Sequence, residues 1–492
     1  MKTRMLLLTL LSSFILLPCS LVVSQAAVVL TTLHSFTGTN DGATPEAALV
    51  QASDGYFYGT TYNGGTNGEF GTVFKINSDG IQMALYSFGS ITNADGLALD
   101  GANPEGALLQ GNDGSFYGTT LLGGTNGGGG TVFRISTNGA LTSLYSFTGG
   151  NGNAYPAAGL AQGNDGSFYG TTSGGGPYIY GDGTVFKMST NRMLTTLYSF
   201  GTATNLYGTP LDGAMPQAGL VQGSDGNFYG TTAYAGGPGG GTVFRISTNG
   251  VVTNLHSFYG PDGAHPYAGL VQGRDGNFYG TTTYGGDFSF YNHGAGTVFQ
   301  IGTNGALTTL YDFGTITNAS GDALDGAHPF SALVQGTDGN YYGTTYDAGA
   351  NGCGTVFKIS TNGALTTLYA LGSITNADGE PLDGAYPQAP LEQGTDGHFY
   401  GTTSEGGTYG NGTVFRLTIV PELQAVTLTE GTLNLTWSTE AGGTYQLQYN
   451  SDLSSSNWRN LSSPVTANGA MLNTSDSISN APQRFYRLVR SP

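Results

Sequence analysis

Cysteine is almost missing from this sequence. Its 492 residues include two, Cys19 and Cys353, and Cys19 falls in an N-terminal segment that we expect to be removed. A chain left with a single cysteine cannot form an intrachain disulfide, so packing has to hold the fold together.

Positive charge is scarce as well. The chain has 14 Lys and Arg residues against 32 Asp and Glu residues, a formal net charge of −18. Removing an N-terminal segment that contains Lys2 and Arg4 leaves 12 cations against 32 anions, a formal −20. The negative electrostatic field of such a chain repels nucleic acid and anionic lipid and permits cation binding, so we expect no nucleic-acid partner.

Long hydrophobic runs occur only at the N-terminus. Residues 1–26 have the form of a secretory signal peptide, with a positive start, an apolar stretch from Met5 to Leu17 and cleavage after Ala26. An uncleaved membrane anchor and a lipoprotein site at Cys19 are the alternatives. No later stretch is long and apolar enough to be a transmembrane segment of the mature chain. We therefore expect an exported protein, secreted or at the cell surface.

Glycine and aromatic residues are abundant instead. Glycine accounts for 84 residues, and Phe, Trp and Tyr for 12% of the chain, whereas disordered chains are poor in aromatics. Each repeat of the chain divides into four strand-like pieces, with hairpin turns at Asp-Gly and Asn-Gly pairs. The phrase DGYFYGTT begins at Asp54 and recurs with small changes at Asp113, Asp165, Asp225, Asp275, Asp338 and Asp396.

The two ends of the repeat region are incomplete in complementary ways. Val29–Phe36 reads as a fourth piece with nothing before it, and Gly412–Val420 as a third piece with nothing after it. A ring in which the first strand completes the last repeat accounts for both ends. We therefore predict that residues 27–420 form an all-β, seven-bladed β-propeller of four-stranded blades, with an open solenoid as the alternative.

Both faces of each piece carry apolar residues, as blades packed face to face require. In the first strand, the alternation of a β-strand predicts that Leu30 and Phe36 point one way and Leu33 the other. A one-sided sandwich sheet does not need this pattern.

Loop length varies in two of the four connections of each repeat. The connection from the fourth strand to the next proline has 15 residues in four repeats and 7 or 8 in the others. In an up-and-down blade, this connection and the second–third connection emerge on one face, where we expect recognition. Two second–third loops break the symmetry most, and their predicted ligand contacts are Tyr178, Tyr180, Asp287, Tyr291 and His293.

The 15-residue connections share a similar sequence that resembles part of a calcium-binding loop. Two of them, residues 89–103 and 372–386, place oxygen ligands at alternate positions with a glycine following. The candidate Ca²⁺ ligands are Asn93, Asp95 and Asp100 in one loop and Asn376, Asp378 and Asp383 in the other. The alternative is that these side chains only stabilise turns in a polar loop.

No strong catalytic motif is present. The sequence has no GxSxG, HExxH or P-loop, and paired carboxylates from different blades could be assembled only by the fold. Five of its six histidines fill repeat positions that other repeats fill with ordinary residues, and we interpret them as structural: His34, His256, His265, His328 and His398.

The repeat itself is recognisable in AGLVQGSDGNFYGTT and GTVFRISTNG. It resembles the tandem repeat of the choice-of-anchor GloVer (Gloeobacter/Verrucomicrobia) family of exported bacterial proteins. That resemblance covers about residues 28–420, implies a secreted or surface location and implies no activity. Members often end in a sorting anchor, whereas residues 421–492 resemble a small fibronectin-like β-sandwich with Trp437 and Trp458 as core candidates.

Two hypotheses of function follow. The first is a non-catalytic binding protein, a monomer that uses the variable-loop face of the propeller to hold an extracellular glycan or protein. The alternative is a propeller enzyme that acts on extracellular polysaccharide, which requires ionisable residues to converge near the central channel. A structural role in a surface layer is a third hypothesis.

Overall fold

The computed structural model describes residues 27–148, 154–176, 181–286, 293–420, 423–429, 432–439, 443–451, 457–468, 471–477 and 484–490. The predicted signal peptide, residues 1–26, lies outside them. The described residues form β-strands and no α-helix, so none of them belongs to a helix that could cross a membrane.

Seven four-stranded antiparallel sheets form the repeat region. The innermost strands are Val50–Gln51, Leu109–Gln110, Ala161–Gln162, Val221–Gln222, Val271–Gln272, Val334–Gln335 and Glu392–Gln393. The second strands are Phe57–Thr61, Phe116–Thr120, Phe168–Thr172, Phe228–Thr232, Phe278–Thr282, Tyr341–Thr345 and Phe399–Thr403. The third strands are Thr72–Ile76, Thr131–Ile135, Thr184–Met188, Thr242–Ile246, Thr297–Ile301, Thr355–Ile359 and Thr413–Val420. The outermost strands of blades one to six are Gln82–Ser87, Leu141–Ser146, Leu194–Ser199, Val252–Ser257, Leu307–Asp312 and Leu365–Ala370.

Blade seven takes its outermost strand from the start of the described chain. Ala27–Ser35 pairs antiparallel with Thr413–Val420, from Ala27 opposite Val420 to Ser35 opposite Thr413. The predicted sharing of the last blade by both ends of the repeat region is confirmed.

Aromatic rings join each blade to the next around the whole circle. Tyr58 of blade one packs on Phe116 of blade two, with ring centroids 4.1 Å apart. The same contact returns from blade seven to blade one, where Tyr400 stacks on Phe57 at 4.0 Å. The other junctions are Tyr117–Phe168, Tyr169–Phe228, Tyr229–Phe278, Tyr279–Tyr341 and Tyr342–Phe399. The predicted seven-bladed propeller is therefore confirmed.

The repeated phrase DGYFYGTT encodes one hairpin and its packing. Asp54 accepts the backbone N–H two residues on (3.1 Å) and the Tyr58 hydroxyl (2.8 Å). Gly55 has a φ of +83°, which favours glycine. A Cβ on Gly59 would lie 2.8 Å from the Phe74 ring, so the phrase leaves no room for a side chain there.

The hydroxyl groups of the two threonines in the phrase form hydrogen bonds with different partners, one in the next blade and one in the same blade. In blade two, the Thr119 hydroxyl donates to the Ala158 carbonyl of the next blade at 2.8 Å. The Thr120 hydroxyl lies 2.8 Å from that of Thr131 on the third strand of the same blade. One threonine therefore holds neighbouring blades together, and the other holds two strands of one blade.

The predicted facing of the first strand is wrong, because a β-bulge interrupts the alternation. The register shifts between Thr32 and His34, and the intervening residue reverses the faces beyond it. Leu30 packs between blades six and seven, whereas Leu33 and Phe36 both pack between blades seven and one.

The innermost strands are shorter than the six-residue pieces seen in the sequence. Only two residues of each pair with the second strand, and the residues before them pack against the neighbouring blade instead. A Cβ on Gly159 would lie 2.8 Å from the Ala107 carbonyl oxygen, and one on Gly219 would lie 2.9 Å from the Gly159 carbonyl oxygen.

The C-terminal residues form two further sheets. One contains Leu423–Thr429, Thr432–Ser438 and Met471–Ser477, and the other Thr444–Asn450, Arg459–Asn460, Val465–Thr466 and Phe485–Arg490. Side chains from both sheets share one buried cluster, made of Leu433, Leu435, Trp437, Leu447 and Tyr486. Trp458 is half-buried with the Arg487 guanidinium 4.3 Å from its ring centre, so only Trp437 is a core residue. The likeness to fibronectin modules stays a prediction.

Candidate functional site

The two connections of variable length lie side by side on one face of the ring. Ala43 in one connection of blade one pairs with Asn63 in the other. The same bridge recurs at Ala102–Leu122, Ala214–Tyr234, Ala264–Tyr284, Ala327–Asp347 and Ala385–Glu405. The predicted variable-loop face is confirmed, and it surrounds one end of the central channel.

The channel is a cavity of about 510 Å³ lined by residues from all seven blades. That volume is in the range of small-ligand sites. Its wall is made of small residues or proline at one equivalent position in each blade: Ala48, Ala107, Gly159, Gly219, Gly269, Ala332 and Pro390.

The residue before each blade's first proline has a left-handed backbone. Thr44, with a φ of 54°, donates its N–H to Asn411 O of the preceding blade at 2.9 Å and accepts Tyr62 N–H at 3.0 Å. Left-handed residues other than glycine are uncommon and cluster at functional sites. The equivalent residues are Asn103, Tyr155, Met215, His265, His328 and Tyr386.

The residue after each proline faces the channel at its variable-loop end. We call these seven residues the mouth ring: Glu46, Glu105, Ala157, Gln217, Tyr267, Phe330 and Gln388. The backbone repeats around the circle while the side chains do not. The mouth ring is therefore where a constant scaffold presents unequal chemistry.

Aromatic rings follow one another along blades four to seven at the mouth. Tyr234 packs edge-on against Tyr267 at 6.0 Å, and Tyr267 lies 5.4 Å from Phe330. Phe330 contacts Tyr346 at 5.3 Å, and Tyr346 contacts Tyr386 at 5.0 Å. The hydroxyl groups of Tyr234 and Tyr267 are hydrogen-bonded to each other.

A second row of rings joins the first. His265 lies 4.8 Å from Tyr234 and 5.7 Å from Tyr284, which lies 5.1 Å from His328. The His328 Nδ1 is 2.9 Å from Asp347 Oδ1. The two rows together form an aromatic arc, consisting of Tyr234, His265, Tyr267, Tyr284, His328, Phe330, Tyr346 and Tyr386, and each member is half-buried or exposed.

Opposite this arc, blades one and two contribute a pair of carboxyl groups. Glu46 and Glu105 are half-buried and line the same cavity as Tyr267 and Phe330. Burial, and to a smaller degree the charge of Glu105, raises the pKa of Glu46 to about 7. Burial raises the pKa of Glu105 to about 7. Within the described part of the chain, no hydrogen bond or ion pair reaches either carboxyl group.

Two tyrosines lie within electrostatic reach of the carboxyl pair. Burial raises the pKa of Tyr62, and the charges of Glu105 and Glu46 raise it further. Burial also raises the pKa of Tyr346 in the arc, followed by the charges of Glu405, Tyr386, Asp347 and, last, Glu46. The aromatic arc and the carboxyl pair belong to one site because Tyr267 and Phe330 line the same cavity as the two glutamates.

Of the five predicted ligand contacts, the structure describes one. Tyr178, Tyr180, Asp287 and Tyr291 lie outside the described residues. His293 is exposed and lines a cavity of about 410 Å³ together with arc residues His265 and Tyr284. His293, near the end of the second–third loop of blade five, therefore lies beside the aromatic arc, and its contact with a ligand stays a prediction.

Side-chain oxygens of four of the six predicted calcium ligands, Asn93, Asp100, Asn376 and Asp383, accept hydrogen bonds within their own loops. Asp100 accepts hydrogen bonds from the Tyr86 hydroxyl (2.7 Å), Gly89 N–H (3.1 Å), Ser90 N–H (3.0 Å) and the Ser90 hydroxyl (2.8 Å). The Asn93 side-chain oxygen accepts the backbone N–H groups of Asp95 (3.0 Å) and Leu97 (2.9 Å).

The second loop repeats this arrangement. Asp383 accepts four hydrogen bonds, from Tyr369, Gly372 and Ser373, and Asn376 accepts the backbone N–H of Asp378 at 3.0 Å. Across the described ranges, no group of three or more His, Cys, Asp or Glu side chains is placed to hold a metal ion. Calcium binding at these loops stays a prediction.

Loops of variable length do not point to most of this site. The mouth ring occupies a position of constant spacing, directly after a proline. Reading that one position across the repeats, as Glu, Glu, Ala, Gln, Tyr, Phe and Gln, would have shown the asymmetry. His265 and His328, whose positions in the repeat predict a structural role, lie in the arc.

Comparisons with known proteins support the repeat assignment. A family model described as Gloeobacter/Verrucomicrobia repeat matches residues 22–208, 202–322 and 291–446. No curated protein matches the sequence. Among solved structures, a luciferin-regenerating enzyme is similar, with 12% identity and a TM-score of 0.37 over 80% of this chain and 95% of that one. The blade count and the closure of the ring come from this chain's own strand pairing and ring contacts.

Proposed function

This chain belongs to the Gloeobacter/Verrucomicrobia repeat family, and from that premise we propose that it is an exported, monomeric binding protein that holds a glycan at the channel mouth. The observation that carries the proposal is the aromatic arc. Sugar rings present C–H faces that stack on aromatic rings, and hydroxyl edges that need hydrogen-bonding groups. The mouth offers both kinds of contact, with Tyr267 and Phe330 on one side and Gln217 and Gln388 in the same ring.

The position of the arc supports specific ligand binding rather than non-specific adsorption to exposed aromatic rings. Its rings lie in contact with one another on one half of the ring of blades, so a ligand that uses them has one orientation. The cavity is concave and combines apolar walls with a few polar groups, which is typical of small-ligand sites.

A glycan screen tests this proposal. Purified residues 27–492 would be applied to polysaccharide and oligosaccharide arrays, with calcium and with a chelator, scoring both retention and release of reducing ends. We expect retention without release. Loss of retention under the chelator would support calcium at the loops of Asp100 and Asp383.

Aromatic variants place the retained glycan at the mouth. Tyr267→Ala and Phe330→Ala should each weaken binding about tenfold, because central aromatic contacts dominate many interfaces. Tyr207→Ala is the matched control, since Tyr207 is 94% exposed and does not line the cavity. Equal losses in all three variants, or no retained glycan at all, would contradict the proposal.

A second candidate, hydrolysis of extracellular polysaccharide, is favoured by the carboxyl pair. Glycosidases use two carboxyl groups, one of which keeps its proton near neutral pH as a general acid. Glu46 and Glu105 both have a pKa of about 7. Release of reducing ends that Glu46→Gln or Glu105→Gln abolishes would replace binding by catalysis as the function.

A further inference from the structure

We infer that the ligand at the channel mouth carries a positive charge, as an amine or quaternary ammonium group on a glycan, held between the carboxyl pair and the aromatic arc. This inference rests on the proposed glycan binding and adds the charge of the ligand to it. Its basis is that no lysine or arginine is among the described residues lining a cavity that contains two carboxyl groups and aromatic rings.

Two carboxyl groups elsewhere in the described chain show the usual arrangement, in which a cationic side chain is the partner. Asp113 is 2.9 Å from the Arg134 guanidinium, and Asp165 is 2.7 Å from Lys187 Nζ. Among the described residues, Glu46 and Glu105 accept no hydrogen bond and form no ion pair. Buried carboxyl groups in proteins are ordinarily paired or hydrogen-bonded, so this pair leaves room for a cation that arrives with the ligand.

The rings that share the cavity favour an organic cation over a bare metal ion. Tyr267 and Phe330 line the cavity together with both glutamates. Ammonium groups are attracted to the faces of aromatic rings, and quaternary ammonium ligands are bound in aromatic cages. Calcium sites instead gather several carboxylates among six to eight oxygen ligands, and among the described residues no group of three or more His, Cys, Asp or Glu side chains is placed to hold a metal ion.

The charge of the site excludes the opposite class of glycan. No lysine or arginine is among the described residues that line the cavity, and a mature chain of residues 27–492 has a formal charge of −20, from 12 cations and 32 anions. A polyuronate or sulfated glycan would bring a second set of negative charges to unpaired carboxylates. Neutral hydroxyl groups can be met by Gln217 and Gln388, so the sugar backbone itself need not be charged.

The test compares two tetrasaccharides with one β-1,4-linked hexose backbone. One carries N-trimethyl groups, whose positive charge is fixed, and the other carries neutral N-acetyl groups. Titration calorimetry with residues 27–492 at pH 8 should show at least about tenfold tighter binding of the cationic form, because desolvated cation–ring and charge contacts add to the shared contacts. This comparison uses the wild-type chain and so does not depend on any variant folding.

Variants then assign the preference to the carboxyl pair. Glu46→Gln and Glu105→Gln should each reduce the preference to about threefold or less, mainly by weakening binding of the N-trimethyl form. Asp79→Asn removes one negative charge from the opposite face, where Asp79 is exposed, and should keep the full preference.

The outcomes separate this inference from the proposed function. Equal affinities for both tetrasaccharides, each lost in Tyr267→Ala, would overturn the charge inference and leave glycan binding in place. Binding of tetramethylammonium at Glu46 with no binding of either sugar would overturn glycan binding and keep the charge inference. Calcium that competes with the cationic sugar at the two glutamates would overturn the choice of an organic cation.

Discussion

Glu46 and Glu105 lie in a position that serves ligand binding better than stability. Each carboxyl group is half-buried beside the other, and neither is hydrogen-bonded within the described chain. Burial disfavours the charged form of a carboxyl group, which is why both pKa values are raised to about 7. At pH 8 both groups are therefore mostly ionised, and the folded protein carries the cost of their desolvation.

Replacing either glutamate should stabilise the protein at high pH and not at low pH. A carboxyl group whose pKa is raised on folding binds its proton more tightly in the folded state, so it destabilises the fold as pH rises from about 4.5 to about 7. Glu46→Gln and Glu105→Gln should each increase the free energy of unfolding by on the order of 1–2 kcal/mol at pH 8, and by little at pH 4. Urea unfolding at both pH values measures this, and stabilities that fall in the variants at pH 8 would show that a partner holds the carboxylates.

At the scale of one element, the second strand of five blades, two to five and seven, donates one hydroxyl group to a carbonyl group of the next blade. Thr119 donates to the Ala158 carbonyl at 2.8 Å, and Thr171 and Thr231 make the same bond at 2.9 Å to Ala218 and Ala268. Blade one is different. The Thr60 hydroxyl is buried and has no hydrogen-bond partner in the described structure.

The same substitution in two blades should therefore have different effects. Thr119→Val removes a buried hydrogen bond and leaves a carbonyl group without its donor, which should cost about 1–2 kcal/mol of unfolding free energy. Thr60→Val removes a hydroxyl group that is buried without a partner, and should be neutral within about 0.5 kcal/mol or stabilising. Thermal and denaturant unfolding of the two variants checks the difference. A loss at Thr60 as large as that at Thr119 would contradict the account of inter-blade bonding.

Blade structure was predictable from the sequence wherever a local rule decides it. Asp-Gly and Asn-Gly pairs predict the hairpins, and the incomplete ends of the repeat region predict the shared blade. The bulge between Thr32 and His34 was not predictable. The spacing of Leu30, Leu33 and Phe36 also fits a regular strand, in which side chains alternate between the two faces. The mouth ring was not predicted either. Its side chains face the channel because the residue two positions earlier, such as Thr44, has a left-handed backbone. The residue types at that position do not indicate a positive φ.

At the scale of the whole molecule, one strand decides whether the ring is closed. Ala27–Ser35 supplies the outermost strand of blade seven, and the adjoining Phe36 is fully buried between blades seven and one. Closure removes the exposed strand edge that Thr413–Val420 would otherwise present. It also brings blade seven, which carries Tyr386, beside blade one, which carries Glu46, so closure and the asymmetric mouth are linked.

Removing residues 27–36 should therefore open the ring and expose an edge. The loss of the strand pairing and of Phe36 should lower the free energy of unfolding by on the order of 5 kcal/mol or more, and the exposed edge of Thr413–Val420 should promote self-association. Calorimetry and light scattering measure the two effects. The matched control is a circular permutation. Its chain starts at Gly38 and runs to Val420, the end of the third strand of blade seven. It then continues through Thr-Asn-Gly-Ala, the turn used in blade two, into residues 27–36. That rearranged propeller has the same strands in the same places, so it should stay monomeric and stable. A deletion variant as stable and monomeric as the control would show that the ring does not need this strand to close.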